Sequence, residues 1–165
     1  MSRTVLVAAA AAMVLSACST TVKETPQPAG AATPAFSSTL NIQNVSGSSS
    51  AAKAPAGTVE ALTEALRIEL AQGPQSGPPA KLTFTISDYR VVGKATRFMV
   101  GALAGSNRMT VKVSITTPAG AALRQFEVTR AANTMGVGAF MNQKGSLIGE
   151  TAEAIAKTVR GEPTS

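Results

Sequence analysis

Apolar and polar side chains alternate with a period of two in four stretches of this chain, and with a period near 3.6 in two others. The first kind of pattern predicts half-buried strands and the second predicts amphipathic helices. In residues 36–45, Phe36, Ser38, Leu40 and Ile42 fall on one side and Thr39, Asn41 and Gln43 on the other. A Gly, Ser, Ala and Pro loop follows over 46–57, and Thr58 then stands as a helix cap with Glu60 in the first turn. Val59, Leu62, Leu66 and Leu70 form one stripe, which Gly73 and Pro74 end. Residues 81–92 alternate again, with Leu82, Phe84 and Ile86 against Thr83, Thr85 and Ser87. Residues 107–116 put Met109, Val111, Val113 and Ile115 inward and Thr110, Lys112 and Ser114 outward. Pro118, Ala119 and Gly120 make a turn, and 123–130 return with Phe126 and Val128 inward, Gln125 and Glu127 outward. Over 146–160, Ile148, Ala152, Ile155 and Val159 make a second helical stripe; Glu150 and Glu153 come early, Lys157 and Arg160 late. The order β-α-β-β-β-α predicts an α+β fold: a mostly antiparallel four-stranded sheet with two helices on one face. That single domain spans 36–161, with a short tail at 162–165.

The first 35 residues follow neither period. Arg3 and the amino terminus are positive, and residues 5–15 are an unbroken apolar run. The run is shorter than the roughly 20 residues a spanning helix needs, and it fits the apolar region of a signal peptide. Leu15, Ser16, Ala17 and Cys18 follow, and this looks like a lipobox, the processing signal of bacterial lipoproteins. That resemblance implies a diacylglyceryl group on the Cys18 thiol, cleavage after Ala17, and usually a third acyl chain on the new amino terminus. One myristoyl chain binds membranes only marginally, whereas two or three make a lasting anchor. Cys18 is the only cysteine, so it has no intramolecular disulfide partner. Residues 18–35, mostly Thr, Pro, Ala and Gly, are expected to form a flexible tether. Ser19 beside the lipidated cysteine resembles the outer-membrane sorting pattern, which sets the expected location at the periplasmic face of the outer membrane.

Composition narrows the chemistry. The formal charge is +6, falling to +5 once Arg3 leaves with the signal peptide. Histidine and tryptophan are absent, and aromatics are few, so the core is aliphatic and thin. With Cys18 acylated, no thiol and no imidazole remain, which removes the usual zinc ligands, general base and cysteine nucleophile. Most acids lie on the predicted helices, and nothing in the pattern brings Asp88 and Glu127 together. The stretch Gly93, Lys94, Ala95, Thr96 lacks the rest of a phosphate loop. The expectation is a protein with no enzymatic activity, no metal, no cofactor and no small-molecule substrate. Nucleic acid is excluded as a partner by the compartment.

Two features go beyond a generic domain. Between Asp88 and Glu127 there is no acid, but there are six bases: Arg90, Lys94, Arg97, Arg108, Lys112 and Arg124. Of these, Lys94, Arg97 and Arg108 are candidate contacts to anionic lipid, peptidoglycan carboxylates or an acidic protein. The second is a pair of Gly-rich apolar segments, 98–105 and 136–141, lying on either side of the 107–130 hairpin. Glycine permits close backbone approach, which makes Gly101, Gly105, Gly136 and Gly138 candidate interface positions.

At these residues the chain resembles an uncharacterised family of short bacterial envelope lipoproteins. The likeness rests on Gly93 to Arg97, set beside the family's G-x-x-R pattern, on Gly101 to Gly105, on the Val/Ile strand and on the Pro-Ala-Gly turn. It implies an envelope lipoprotein and no activity. The strand–helix order is also similar to lipoproteins that activate penicillin-binding proteins and to the periplasmic part of the curli secretion channel, at the level of fold. The expected function is a lipid-anchored, non-catalytic module that binds an envelope protein or itself. The alternative is a channel-forming or membrane-remodelling component that inserts its Gly-rich hairpin.

Overall fold

In this computed structural model, the residues described are 19–25, 40–74, 76–92, 106–132 and 143–164. They form strands β1 (Ser19–Glu24) and β2 (Asn41–Ser49), helix α1 (Thr58–Ala71), strands β3 (Pro79–Arg90), β4 (Asn107–Thr116) and β5 (Ala122–Ala132), and helix α2 (Gln143–Arg160). The fold is α+β, with a five-stranded mixed sheet in the order β1-β5-β4-β3-β2. Neighbours pair antiparallel except β2 and β3, which are parallel.

This corrects the expected four-stranded, mostly antiparallel arrangement in two places. First, α1 lies between β2 and β3 and crosses the sheet face, so β3 re-enters beside β2 in the same direction. Second, the segment read as the start of a tether is β1. Thr20, Thr21 and Val22 are β-branched, and each residue from Ser19 to Glu24 finds a register partner on β5. The sheet therefore begins at Ser19, and of the expected tether Cys18 and 26–35 lie outside the described residues. Phe36, Ser38 and Thr39 also lie outside them. Of the first predicted strand, residues 41–45 lie in β2, which runs on to Ser49, and a bulge between Ile42 and Asn44 resets its alternation. Val45 is buried, whereas Leu40 and Ile42 are half-buried.

The rest of the inward pattern is as expected. Leu82, Phe84, Ile86, Met109, Val111, Val113, Ile115, Phe126 and Val128 are buried against Leu62, Leu66 and Leu70 of α1 and Ile148, Ala152, Ile155 and Val159 of α2. Both helices cover one sheet face and touch each other. Fully burying each large aliphatic or Phe contributes about 1.5–3 kcal/mol. Cap details differ from expectation. Gly57, at φ 81°, occupies the cap position of α1, and no side chain caps it. Thr58 is instead the first helical residue, and its hydroxyl donates to the Pro55 carbonyl at 2.7 Å. No basic residue stands in the last turn of α1, but Arg160 of α2 donates to the Glu69 carbonyl there at 3.1 Å. The β4–β5 turn closes with Gly120 at φ 93° and its amide donating to the Thr117 carbonyl at 2.9 Å.

Candidate functional site

Most of the positions singled out in the sequence lie outside the described residues: Cys18, Lys94, Arg97, Gly101, Gly105, Gly136 and Gly138. Arg108 is described, and so are the strand ends from which the others depart. Cys18 is joined by one peptide bond to Ser19, the first residue of β1. Ser19 stands opposite Ala131 of β5, Ala131 opposite Arg108 of β4, and Arg108 opposite Arg90 of β3. These four residues form one row across the sheet, which starts one residue after Cys18 in the chain. The next row pairs Asn107 with Ala132. Residues 93–105 leave from the end of β3 and rejoin ahead of β4, and 133–142 leave from the end of β5. Both Gly-rich segments are thus attached to the same end of the sheet as Cys18.

Buried Asn107 braces that end. Its Oδ1 accepts the amide hydrogen of Val92 at 2.9 Å, which ties the exit of β3 to the entry of β4. Tyr89, also buried, pairs with Met109 one row further in. Its hydroxyl has no hydrogen-bond partner among the described residues, and burial pushes its pKa up from 10.0.

The four described bases of the acid-free stretch do not share a surface. Strand alternation puts Arg90, Arg108 and Lys112 on the sheet face away from the helices, where all three are exposed. Arg124 falls on the opposite, helix-covered face. Its side chain holds the Glu24 carboxylate, with Nε at 3.1 and 3.2 Å from the two oxygens, and donates to the Thr158 carbonyl at 2.7 Å. It also lies 5.1 Å from the Phe126 ring centroid. Arg130, on the same face, donates to Glu150 Oε2 at 3.0 Å and to the Thr20 hydroxyl. Two arginines of β5 therefore clamp both ends of β1 to α2. The sequence held a signal for this clamp: both arginines sit on the inward parity of a strand, where a cation requires partners.

The sheet face away from the helices carries Ser46, Ser48, Thr83, Thr85, Ser114, Gln125 and Thr129, with Ser48 and Thr85 hydroxyls 3.2 Å apart and Thr110 and Thr129 hydroxyls 3.1 Å apart. Near its middle is a shallow open depression of about 550 Å³, with Lys23, Glu127 and Lys112 abreast on three adjacent strands. Asp88 stands opposite Thr110 on β4 and Glu127 opposite Lys112, so these two strand acids are two rows and two strands apart. Among the described residues, no group of three His, Cys, Asp or Glu side chains converges on a point. Nor is any described helix long and apolar enough to cross a membrane.

No family model matches the chain, and no curated protein matches it. Among solved structures it is similar to the PelC dodecamer of Paraburkholderia phytofirmans, at 14% identity over 82% of this chain and 96% of that one, with a TM-score of 0.49. A single-substitution variant of the same PelC dodecamer covers 95% of its chain, with a TM-score of 0.48. A candidate lipoprotein from Caulobacter crescentus CB15 is similar at 20% identity, over 76% of this chain and 91% of that one, with a TM-score of 0.40. These likenesses bear on neither the residues of the site nor its function.

Proposed function

We propose that this chain is a lipid-anchored, non-catalytic binding module of the bacterial cell envelope. Cys18 is its acylation site, and its location is the periplasmic face of the outer membrane. The observation that carries the reading is the lipobox ending at Cys18, one bond ahead of a strand built into the sheet. Acyl chains on that residue hold a folded edge, not a loose tail, at the membrane. The partner is an envelope protein or a second copy of the chain, engaged through the Gly-rich positions Gly101, Gly105, Gly136 and Gly138. Binding needs no cofactor, metal or small-molecule substrate.

Two experiments test this. Fractionation should find the wild-type chain in membranes and the Cys18→Ala chain as unprocessed precursor; equal processing of both would remove the anchor. Crosslinking in intact envelopes should then give one dominant adduct, which Gly101→Leu and Gly138→Leu abolish without changing the melting temperature. A fall in melting temperature with the adduct retained would make those glycines internal to the fold.

A further inference from the structure

Resting on that reading, we infer that the end of the sheet marked by Ser19, Ala131, Arg108 and Arg90 lies against the bilayer and that its two arginines bind anionic lipid headgroups. Three observations converge on this end. The first is the anchor distance. Strands lie about 4.8 Å apart, so Arg108 and Arg90 stand roughly 10 and 14 Å from Ser19 along the row. Cys18 precedes Ser19 with no intervening residue, and β1 is clamped by Arg124 and Arg130, so the row cannot move far from the plane of the acyl chains.

The second is charge. Arg90 and Arg108 are in register, exposed, and on the same face. No acid falls between Asp88 and Glu127 in the sequence. The α2 helix also starts at this end, since Glu150 meets Arg130 while the Thr158 carbonyl meets Arg124 at the other; its first turn holds no acid. The positive pole of its dipole thus points the same way.

The third is apolar content. Val91, just beyond the row, is one of only two large hydrophobic residues exposed among those described. The opposite end, at the Pro118–Gly120 turn, is exposed and lies about 30 Å away along β4 at roughly 3.4 Å per residue.

The test uses the full chain, processed in cells, purified from membranes and reconstituted in vesicles of phosphatidylcholine with or without phosphatidylglycerol. Spin labels at Val91→Cys and, separately, Ala119→Cys report depth through collision with oxygen and with a water-soluble nickel chelate. The label at 91 should be shielded from nickel and the label at 119 fully accessible. The contrast should grow with phosphatidylglycerol and shrink in high salt. In Arg90→Gln/Arg108→Gln, the phosphatidylglycerol-dependent part should fall about fivefold for each arginine removed. Equal nickel access at 91 and 119 in an acylated sample overturns the orientation and leaves the anchor standing. Shielding at 91 with spin–spin broadening between copies also overturns it, in favour of a second copy at this end. A mature protein without acyl chains, read by mass spectrometry on the same sample, overturns the anchor and the orientation together.

Discussion

Gly47 stands in register with Phe84, and a Cβ built on it would lie 2.0 Å from the ring's Cζ. The ring occupies the space that any other residue's side chain needs, a pairing that caps an edge-strand glycine with a neighbouring aromatic. Gly47→Ala must push a fully buried Phe84 aside, and we expect it to destabilise the domain by about 1–3 kcal/mol. Chemical denaturation would show this as a lower midpoint with an unchanged slope. Tyr89 makes the converse case. Its buried hydroxyl lacks a partner among the described residues, so Tyr89→Phe should be neutral or stabilise by up to about 1 kcal/mol. A clear loss of stability in that variant would reveal a partner in 93–105 or 133–142. Glu162 is held below its ordinary pKa of 4.5, first by its hydrogen bond with Arg160, against a small burial effect, and then by the charges of Arg160 and Lys157. A lowered folded pKa gives a contribution that is complete above the unfolded value and lost as pH falls through the folded one. Glu162→Gln should therefore lower the melting temperature slightly at neutral pH, with the difference from the wild-type chain vanishing as pH falls below 4.5.

At the scale of elements, what was legible followed from local period. β3, β4, β5 and both helices announce themselves because each buries a continuous apolar set, such as Leu82, Phe84 and Ile86 or Ile148, Ala152 and Ile155. β1 does not, because it carries a single apolar residue, Val22, and its partner strand lies about a hundred residues later in the chain. An edge strand of that kind is specified by its neighbour and its clamps, not by its own alternation. The same holds for the parallel pairing of β2 and β3, which depends on where α1 returns the chain. The bulge at Ile42 was illegible too, since one extra residue exchanges the two faces without altering composition. If the two arginines fix β1, then Arg124→Ala and Arg130→Ala should each raise amide exchange at 19–24 before they affect β3 or β4. Each loses hydrogen bonds to a charged group, with a cost of about 1–2 kcal/mol. Uniform exchange across the sheet in both variants would mean that β1 unfolds only with the whole domain.

For the whole molecule, acylation of Cys18 as proposed would join a covalent membrane anchor to the sheet without a spacer on the amino-terminal side. Residues 26–39 then connect one edge of the sheet, β1, to the other edge, β2. The expected long tether would have let the domain sample any orientation. A strand that starts one residue after Cys18 restricts the orientation, which gives the basic row and the Gly-rich attachments a defined place relative to the bilayer. The candidate site was therefore only half legible: Cys18 and the bases could be read as residues, but their common end depends on strand register. The central claim is the covalent anchor at Cys18, and intact-mass spectrometry of the chain extracted from membranes tests it most directly. The account predicts a polypeptide that begins at Cys18 and carries the mass of a diacylglyceryl group, with or without a further acyl chain. A mature polypeptide with no lipid increment, or one beginning elsewhere, would contradict it.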